Sequence, residues 1–86
     1  MQRTALVTGA TAGFGEAICR TLRENGYRVI GTGRRVARLE QLQQELGDNF
    51  HFLAFDISDR QATEDAFHSL SASWQSVDLL VNNAGL

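Results

Sequence analysis

Short apolar runs alternate along the chain with longer segments in which apolar residues recur at every third or fourth position. Short runs rich in β-branched residues indicate buried strands, and the wider spacing indicates amphipathic helices. The predicted strands cover residues 4–8, 28–32, 50–55 and 77–81, and the predicted helices cover residues 13–25, 35–46 and a segment that begins at residue 58. The predicted order of elements is therefore βαβαβαβ.

The predicted helices have recognisable ends. Gly26 and Gly47 follow the first two helices, and glycine commonly ends a helix. Ser58 with Gln61 three residues later has the form of a capping box, which predicts the start of the third helix. The apolar stripes of the three helices are Phe14, Ile18 and Leu22; Val36, Leu39, Leu42 and Leu46; and Ala62, Ala66, Phe67, Leu70 and Trp74.

The strands are apolar over nearly their whole length, which is typical of strands that are covered on both faces. Because a helix links each strand to the next, the strands are predicted to be parallel, with right-handed crossovers. The sequence has no proline, no repeat and no low-complexity segment. We therefore expect a single α/β module with three layers.

Composition narrows the classes of function. A length of 86 residues suits one small domain, and a net charge of −2 gives no general attraction to nucleic acid or to membrane surfaces. The single cysteine, Cys19, cannot form an internal disulfide, so a cytoplasmic location is expected. Neither His51 nor His68 has cysteine or carboxylate neighbours at the spacing of metal ligands, and no metal site is predicted.

A glycine-rich turn follows the first strand and opens the first helix, with the sequence TGATAGFG over residues 8–15. Glycines allow the backbone to turn sharply and to approach a pyrophosphate closely, and the N–H groups of the following helix attract an anion. A turn of the same sequence without a ligand is the alternative. The residues predicted to hold the pyrophosphate are Gly9, Ala10, Thr11, Ala12, Gly13, Phe14 and Gly15.

The end of the second strand bears on the choice of cofactor. NAD-binding folds place a carboxylate about 20 residues after the glycine turn, where it binds the ribose 2′-hydroxyl. Here Arg34 and Arg35 stand in that region, and guanidinium groups pair with a 2′-phosphate. Two solvated arginines are the alternative, although positive charge is unfavourable at a helix start. The pair predicts NADP as the cofactor.

Two motifs together resemble those of the short-chain dehydrogenase/reductase family. They are T-G-x-x-x-G-x-G from Thr8 to Gly15 and Asn82-Asn83-Ala84-Gly85 after the fourth strand, and the resemblance covers the entire chain. It implies a Rossmann-type sheet of order 3-2-1-4, which is the N-terminal part of the family's 3-2-1-4-5-6-7 sheet. We therefore expect residues 1–86 to be the N-terminal, NADP-binding part of a longer fold.

The resemblance also implies roles for residues near the adenosine half of the cofactor. Asp56 matches an aspartate that accepts a hydrogen bond from the adenine amino group, and the Ile57 amide would meet the ring nitrogen. Asp56 could instead serve only the turn after the third strand. Asn83 and Ala84 match residues beside the adenosine ribose, where the asparagine also ties neighbouring strands together.

No catalytic residue is assigned in this chain. The family uses a serine, a tyrosine and a lysine four residues after that tyrosine. The only tyrosine is Tyr27, Gly31 stands four residues later, and all eight positive residues are arginine. The resemblance therefore implies that catalysis depends on sequence beyond residue 86, and that the chain alone is inactive.

The runs VTGATAGFGEAI, TGRR and LGDN are similar to those of bacterial NADP-dependent 3-hydroxy acid and serine dehydrogenases of this family. That branch oxidises L-serine or allo-threonine and reduces malonic semialdehyde, and the family is mostly tetrameric. Other interpretations remain open. They are a reductase of another substrate class, a nucleotide-binding module without catalysis, and a structural relic that binds nothing.

Overall fold

A computed structural model describes residues 2–83 and confirms the predicted alternation of strands and helices. The elements are β1 (Thr4–Thr8), α1 (Gly13–Glu24), β2 (Arg28–Gly33), α2 (Val36–Leu46), a 3₁₀ turn (Gly47–Asn49), β3 (Phe50–Ala54), α3 (Arg60–His68), a second 3₁₀ turn (Ala72–Trp74) and β4 (Leu79–Asn82). The fourth strand begins two residues later than predicted.

The four strands form one parallel sheet in the order β3-β2-β1-β4, as predicted. Leu6 of β1 pairs with Ile30 on one side and with Leu80 on the other. Because β1 lies between β2 and β4, the chain leaves β1 toward one side of the sheet and later returns to its other side. The carboxyl ends of all four strands meet at one edge.

Helices α1 and α2 cover one face of the sheet and enclose the core. Val7 and Val29 point from the central strands toward Cys19 of α1 and Leu39 of α2, and all four are fully buried. Burial raises the pKa of the Cys19 thiol to about 12, so this thiol stays protonated and packs as a small apolar group.

A pair of charged side chains joins the two helices on this face. The guanidinium of Arg20 on α1 makes two hydrogen bonds to the Glu45 carboxylate of α2, at 2.6 and 3.0 Å. Arg38 of α2 lies 3.7 Å from the Glu16 carboxylate in the first turn of α1. The Arg38–Glu16 contact joins the first turns of the two helices, and the Arg20–Glu45 pair joins the later part of α1 to the last turn of α2.

The opposite face is covered only in part, by α3 and by the segment that follows it. Side chains alternate between faces along a strand, so Arg28 and His51 point away from the core that contains Val29 and Phe50. The Arg28 guanidinium lies 3.8 Å from the centre of the Trp74 ring, and the His51 ring lies 5.5 Å from it. The chain therefore forms a three-layer α/β structure.

Two predictions about the third helix were wrong. Asp59, and not Ser58, caps α3, because the Asp59 carboxylate accepts a hydrogen bond from the Ala62 amide at 3.0 Å. The Ser58 hydroxyl instead donates to the carboxylate of Asp56. The helix also ends at His68, before the predicted apolar stripe reaches Trp74.

Phe14 also differs from its predicted place in the core stripe of α1. The side chain is 80% exposed, whereas Ile18 and Leu22 pack partly against the core. The buried positions of α1 are Gly15 and Cys19. Successive residues of a helix are rotated by about 100°, so the helix face that buries Gly15 directs Phe14 outward.

The last described strand presents apolar side chains to solvent. Leu79 is 37% exposed and Leu80 is 61% exposed, and within residues 2–83 the outer edge of β4 has no neighbouring strand. Exposed strand edges are templates for pairing with another chain. No helix in this described range is long and apolar enough to cross a membrane.

Residues 1–86 produced alone are expected to self-associate through the β4 edge. Leu80→Lys should reduce this association, because a lysine on an edge strand opposes strand pairing. Gln44→Lys, at an exposed position on α2, adds the same charge elsewhere and serves as the control. Sedimentation at several concentrations measures the effect, and a monomeric wild-type chain at all of them would contradict the expectation.

Candidate functional site

A cleft of about 490 Å³ opens at the carboxyl ends of the strands, and we call it the strand-end cleft. This volume lies in the range of small-molecule sites, roughly 300–1,000 Å³. Parallel α/β sheets bind ligands at this edge, where the chain departs to opposite sides of the sheet. The lining residues are Gly9, Thr11, Ala12, Thr32, Gly33, Arg34, Arg35, Phe55, Asp56, Ile57, Ser58 and Asn83.

The glycine-rich turn between β1 and α1 forms one wall of the cleft. Gly9 adopts a φ of 66°, a conformation that favours glycine, and its carbonyl accepts a hydrogen bond from the Ala12 amide at 3.2 Å. The Ala10 amide donates to the Thr32 carbonyl at 2.8 Å, which fastens the turn to β2. The turn, which continues directly from β1, is thus held by one hydrogen bond to β2 and by one within its own backbone.

The beginning of α1 suits an anion. Its N-cap is Ala12, which makes no side-chain capping bond, and alanine is a poor cap. The first intrahelical bond here is donated by Glu16 to the Ala12 carbonyl. The earlier N–H groups of a helix have no intrahelical partner, and they carry the positive end of the helix dipole. The start of α1 therefore offers N–H donors and partial positive charge to an anion.

Gly15 makes this geometry possible. A Cβ atom built on Gly15 would lie 1.9 Å from the Gly9 carbonyl oxygen, far closer than two such atoms can approach. By contrast, a Cβ atom on Gly13 would meet nothing within 4 Å. Of these two glycines, only Gly15 is required for the close packing of the helix against the turn.

The two arginines lie at the end of β2, at the entrance to α2. Arg35 is the N-cap of α2 and makes no side-chain capping bond, and the first turn of the helix has no acidic residue. Arg34 is 75% exposed, and its Nη1 lies 3.9 Å from Oδ2 of Asp56. Two guanidinium groups and a helix N-terminus therefore bring positive charge to this end of the cleft.

Asp56 follows β3 and lies beside Arg34 at the entrance to the cleft. Its Oδ1 accepts hydrogen bonds from the Ser58 hydroxyl at 2.7 Å and from the Ser58 amide at 3.0 Å. The bonds from the Ser58 hydroxyl and amide, together with the nearby charge of Arg34, hold the pKa of Asp56 below its ordinary value. Asp56 therefore remains ionised at neutral pH, as an acceptor of hydrogen bonds only.

Asn83 connects the end of β4 to the glycine turn. Its Nδ2 donates to the Gly9 carbonyl at 3.0 Å, and its backbone amide donates to Oγ1 of Thr8 at 3.0 Å. The residue is buried and also lines the cleft. Its side chain therefore fixes the position of the turn, and this contact is structural whether or not a ligand is bound.

The structure brings most of the predicted site residues together. Those on the cleft wall are Gly9, Thr11, Ala12, Arg34, Arg35, Asp56, Ile57 and Asn83. Ala10 is buried beneath the turn, and Gly13, Phe14 and Gly15 belong to the first turn of α1 but not to the wall. Ala84 lies outside the described residues.

Four wall residues were not predicted from the sequence, namely Thr32, Gly33, Phe55 and Ser58. The position of Thr32, Gly33 and Phe55 at strand ends was a usable signal, because the edge where parallel strands end is the binding edge. A Cβ on Gly33 would lie 3.2 Å from the Thr11 side chain, so this glycine gives the turn room beside β2. Over residues 2–83 no three His, Cys, Asp or Glu side chains are grouped as metal ligands.

The sequence of residues 3–86 matches the family model described as short chain dehydrogenase. This chain belongs to the short-chain dehydrogenase family. The strand order 3-2-1-4, the glycine turn and the cleft at the carboxyl edge of the sheet are consistent with this membership.

Known relatives are similar over almost the whole chain. A probable NADP-dependent dehydrogenase of Haemophilus influenzae is 66% identical over 83 residues, which are 96% of this chain and 33% of that protein. The NADP-dependent 3-hydroxy acid dehydrogenase YdfG of Escherichia coli K12 is 54% identical over 81 residues, 94% of this chain and 33% of that protein.

A solved structure shows the same arrangement. The closed form of serine dehydrogenase complexed with NADP+ superposes with a TM-score of 0.90 at 51% identity, over 93% of this chain and 32% of that one. The chain therefore spans about a third of the length of the curated relatives it matches.

Replacing Gly15 by alanine is expected to destabilise the chain by about 3 kcal/mol or more, because the new Cβ would overlap a backbone carbonyl. The matched control is Gly13→Ala, which adds the same methyl group to open space and should stay within about 1 kcal/mol of wild type. Urea denaturation followed by circular dichroism measures both. Equal stability of the two variants would contradict the close packing at Gly15.

The lowered pKa of Asp56 predicts a contribution to acid stability. The ordinary pKa of 3.8 applies to the unfolded chain, and the pKa of Asp56 in the folded chain is lower. The stabilisation is therefore complete above pH 3.8 and is lost as the pH falls through the lower, folded-state pKa. Asp56→Asn should therefore lose stability less steeply than wild type on acidification. Glu40→Gln, an exposed carboxylate on α2, controls for net charge, and parallel curves for wild type and Asp56→Asn would refute the expectation.

Proposed function

We propose that the chain is the NADP-binding part of an oxidoreductase that transfers hydride between NADP(H) and a small hydroxy acid or carbonyl substrate. The observation that carries this proposal is the pair Arg34 and Arg35 at the mouth of the strand-end cleft, at the N-terminus of α2. The NADP-dependent names of the relatives and the NADP+ complex of the similar structure support it.

The glycine turn would hold the pyrophosphate. Gly9, Thr11 and Ala12 line the cleft, and the N–H groups of the first turn of α1 lie directly after them. Amide donors are fixed by the backbone, so they would bind the anion with little loss of entropy on binding. Gly15 keeps the start of α1 close enough to the turn for these donors to act together.

The arginines would select NADP over NAD. A guanidinium can pair with two phosphate oxygens at once, and the 2′-hydroxyl of NAD offers no charge to pair with. The sequence has no carboxylate at the end of β2, where one would bind that hydroxyl and repel a phosphate. One or two charge-assisted bonds, each contributing about 1.5–3 kcal/mol, would favour NADP by roughly tenfold to a few hundredfold.

Asp56, Ile57 and Asn83 would surround the adenosine. Asp56 and Ile57 follow β3 and line the cleft on the same side as the arginines, and Asn83 closes it from the β4 side. The ionised Asp56 would accept from the adenine amino group, and the Ile57 amide would donate to the ring. Ala84 is assigned to the ribose by the family motif alone.

Bound NADP(H) would supply the hydride, and this chain would bind and orient it. The family's tyrosine and lysine pair is not formed in the sequence, since Gly31 stands four residues after Tyr27 and no lysine is present. We assign the proton-transfer groups to sequence beyond these 86 residues. The names of the relatives support a 3-hydroxy acid such as serine as the alcohol. The family resemblance adds allo-threonine as an alcohol and malonic semialdehyde as a carbonyl substrate.

NADP and NAD titrations test the cofactor proposal, with the protein expressed from its complete reading frame. Wild type should bind NADP roughly tenfold to a few hundredfold more tightly than NAD. Arg34→Ala and Arg35→Ala should each weaken NADP binding and leave NAD binding nearly unchanged, because only NADP carries the 2′-phosphate. Calorimetry or cofactor fluorescence provides the dissociation constants.

The matched control is Arg38→Ala, which removes the same charge from an exposed position of α2 that does not line the cleft. It should leave the ratio of the two dissociation constants unchanged. Equal affinity of wild type for NADP and NAD would overturn the cofactor assignment. Binding without oxidation of L-serine, allo-threonine or 3-hydroxypropionate would instead favour another substrate class or a module without catalysis.

A further inference from the structure

The carboxylate of Asp56 is held by its own loop. Both short contacts come from Ser58, whose hydroxyl and amide converge on Oδ1 at 2.7 and 3.0 Å. The other oxygen, Oδ2, lies 3.9 Å from Arg34, which is too long for a hydrogen bond. The two oxygens of this carboxylate therefore have different roles, since Oδ1 is hydrogen-bonded to Ser58 and Oδ2 lies toward Arg34.

Of the two hydrogen bonds to Oδ1 of Asp56, only the one from the Ser58 hydroxyl depends on the identity of a side chain. Asp56 and Ser58 are both exposed, so packing against neighbours does not restrict the aspartate rotamer. Without the hydroxyl, one amide bond would remain, and the attraction between Asp56 and Arg34 would draw the carboxylate toward the guanidinium. The hydroxyl opposes that movement and keeps Oδ2 available to a second donor.

The Ser58 hydroxyl does not cap the helix that follows, α3. Asp59 caps α3 through the Ala62 amide, so the Ser58 hydroxyl is not needed for that purpose. Ser58 also lines the strand-end cleft next to Asp56. The residue at the position of the expected helix cap is thus turned toward the cleft.

We propose that Ser58 is a positioning residue for base recognition, which orients the Asp56 carboxylate to accept a hydrogen bond from the exocyclic amine of adenine. The inference rests on the proposed NADP function and adds to it the residue on which selectivity for the base depends. An ionised carboxylate can only accept hydrogen bonds, so it favours an amino group and repels the keto oxygen of hypoxanthine at the same position.

The test compares NADP with its deaminated analogue, nicotinamide hypoxanthine dinucleotide phosphate, on the protein expressed from its complete reading frame. Both ligands carry the same 2′-phosphate, so the arginine contribution cancels in the ratio of their dissociation constants. Wild type should prefer NADP. Ser58→Ala should reduce that preference by about three- to tenfold, the range that one hydrogen bond contributes.

Two control variants separate positioning from a general loss of structure. Ser58→Thr retains a hydroxyl and should keep the wild-type ratio. Ser69→Ala removes a hydroxyl that bonds to the Ala66 carbonyl at the end of α3, outside the cleft, and should also keep it. A merely destabilising effect of Ser58→Ala would weaken both ligands equally and leave the ratio unchanged, which would overturn the proposal.

A double-mutant cycle shows whether Ser58 acts through Asp56. In an Asp56→Ala background, Ser58→Ala should have no further effect on the ratio, because the group that it orients is gone. A full additional effect there would overturn the positioning role. If wild type binds neither ligand, the proposed function itself fails, whereas tight NADP binding with an unchanged ratio in Ser58→Ala contradicts only the role of Ser58.

Discussion

The close approach of the first turn of α1 to the Gly9 carbonyl is the constraint on which the site depends. The first turn of α1 packs so closely against the turn after β1 that no side chain fits at position 15, and only glycine allows this approach. The same carbonyl accepts a hydrogen bond from Nδ2 of Asn83, and the Ala10 amide donates a hydrogen bond to the Thr32 carbonyl of β2. One backbone position thereby sets where the helix dipole, the central strand and the end of β4 meet.

Charges of both signs lie next to each other at the end of the cleft formed after β2 and β3. The arginines after β2 and the N-terminus of α2 attract an anion, whereas Asp56 after β3 presents an ionised acceptor. Arg34 and Asp56 form an ion pair at 3.9 Å without a hydrogen bond, and the carboxylate takes its hydrogen bonds from Ser58. A ligand with a phosphate at one place and an amino group at another suits such a surface, and NADP has both.

The fold followed from local patterns, and the errors arose where two patterns competed. The alternation of apolar runs and helical stripes predicted parallel strands joined by right-handed helical crossovers, and the family resemblance implied their order. The prediction that Phe14 belongs to the core stripe was wrong, because Phe14 and Ile18 are four residues apart, as are Gly15 and Cys19, which are the buried pair. Ser58 and Asp59 are both good caps, and only the position of Asp56 favours one of them.

The sequence alone determined the α/β class, the glycine turn, the absence of lysine and the pair of arginines after the second strand, since these depend on residue type and spacing. The tertiary structure decided which of these residues share one wall, and that Ser58 serves the cleft instead of the helix. The reason is that a hydroxyl or carboxylate bonds to the nearest well-oriented partner, and such partners become neighbours only when the strand ends are brought together.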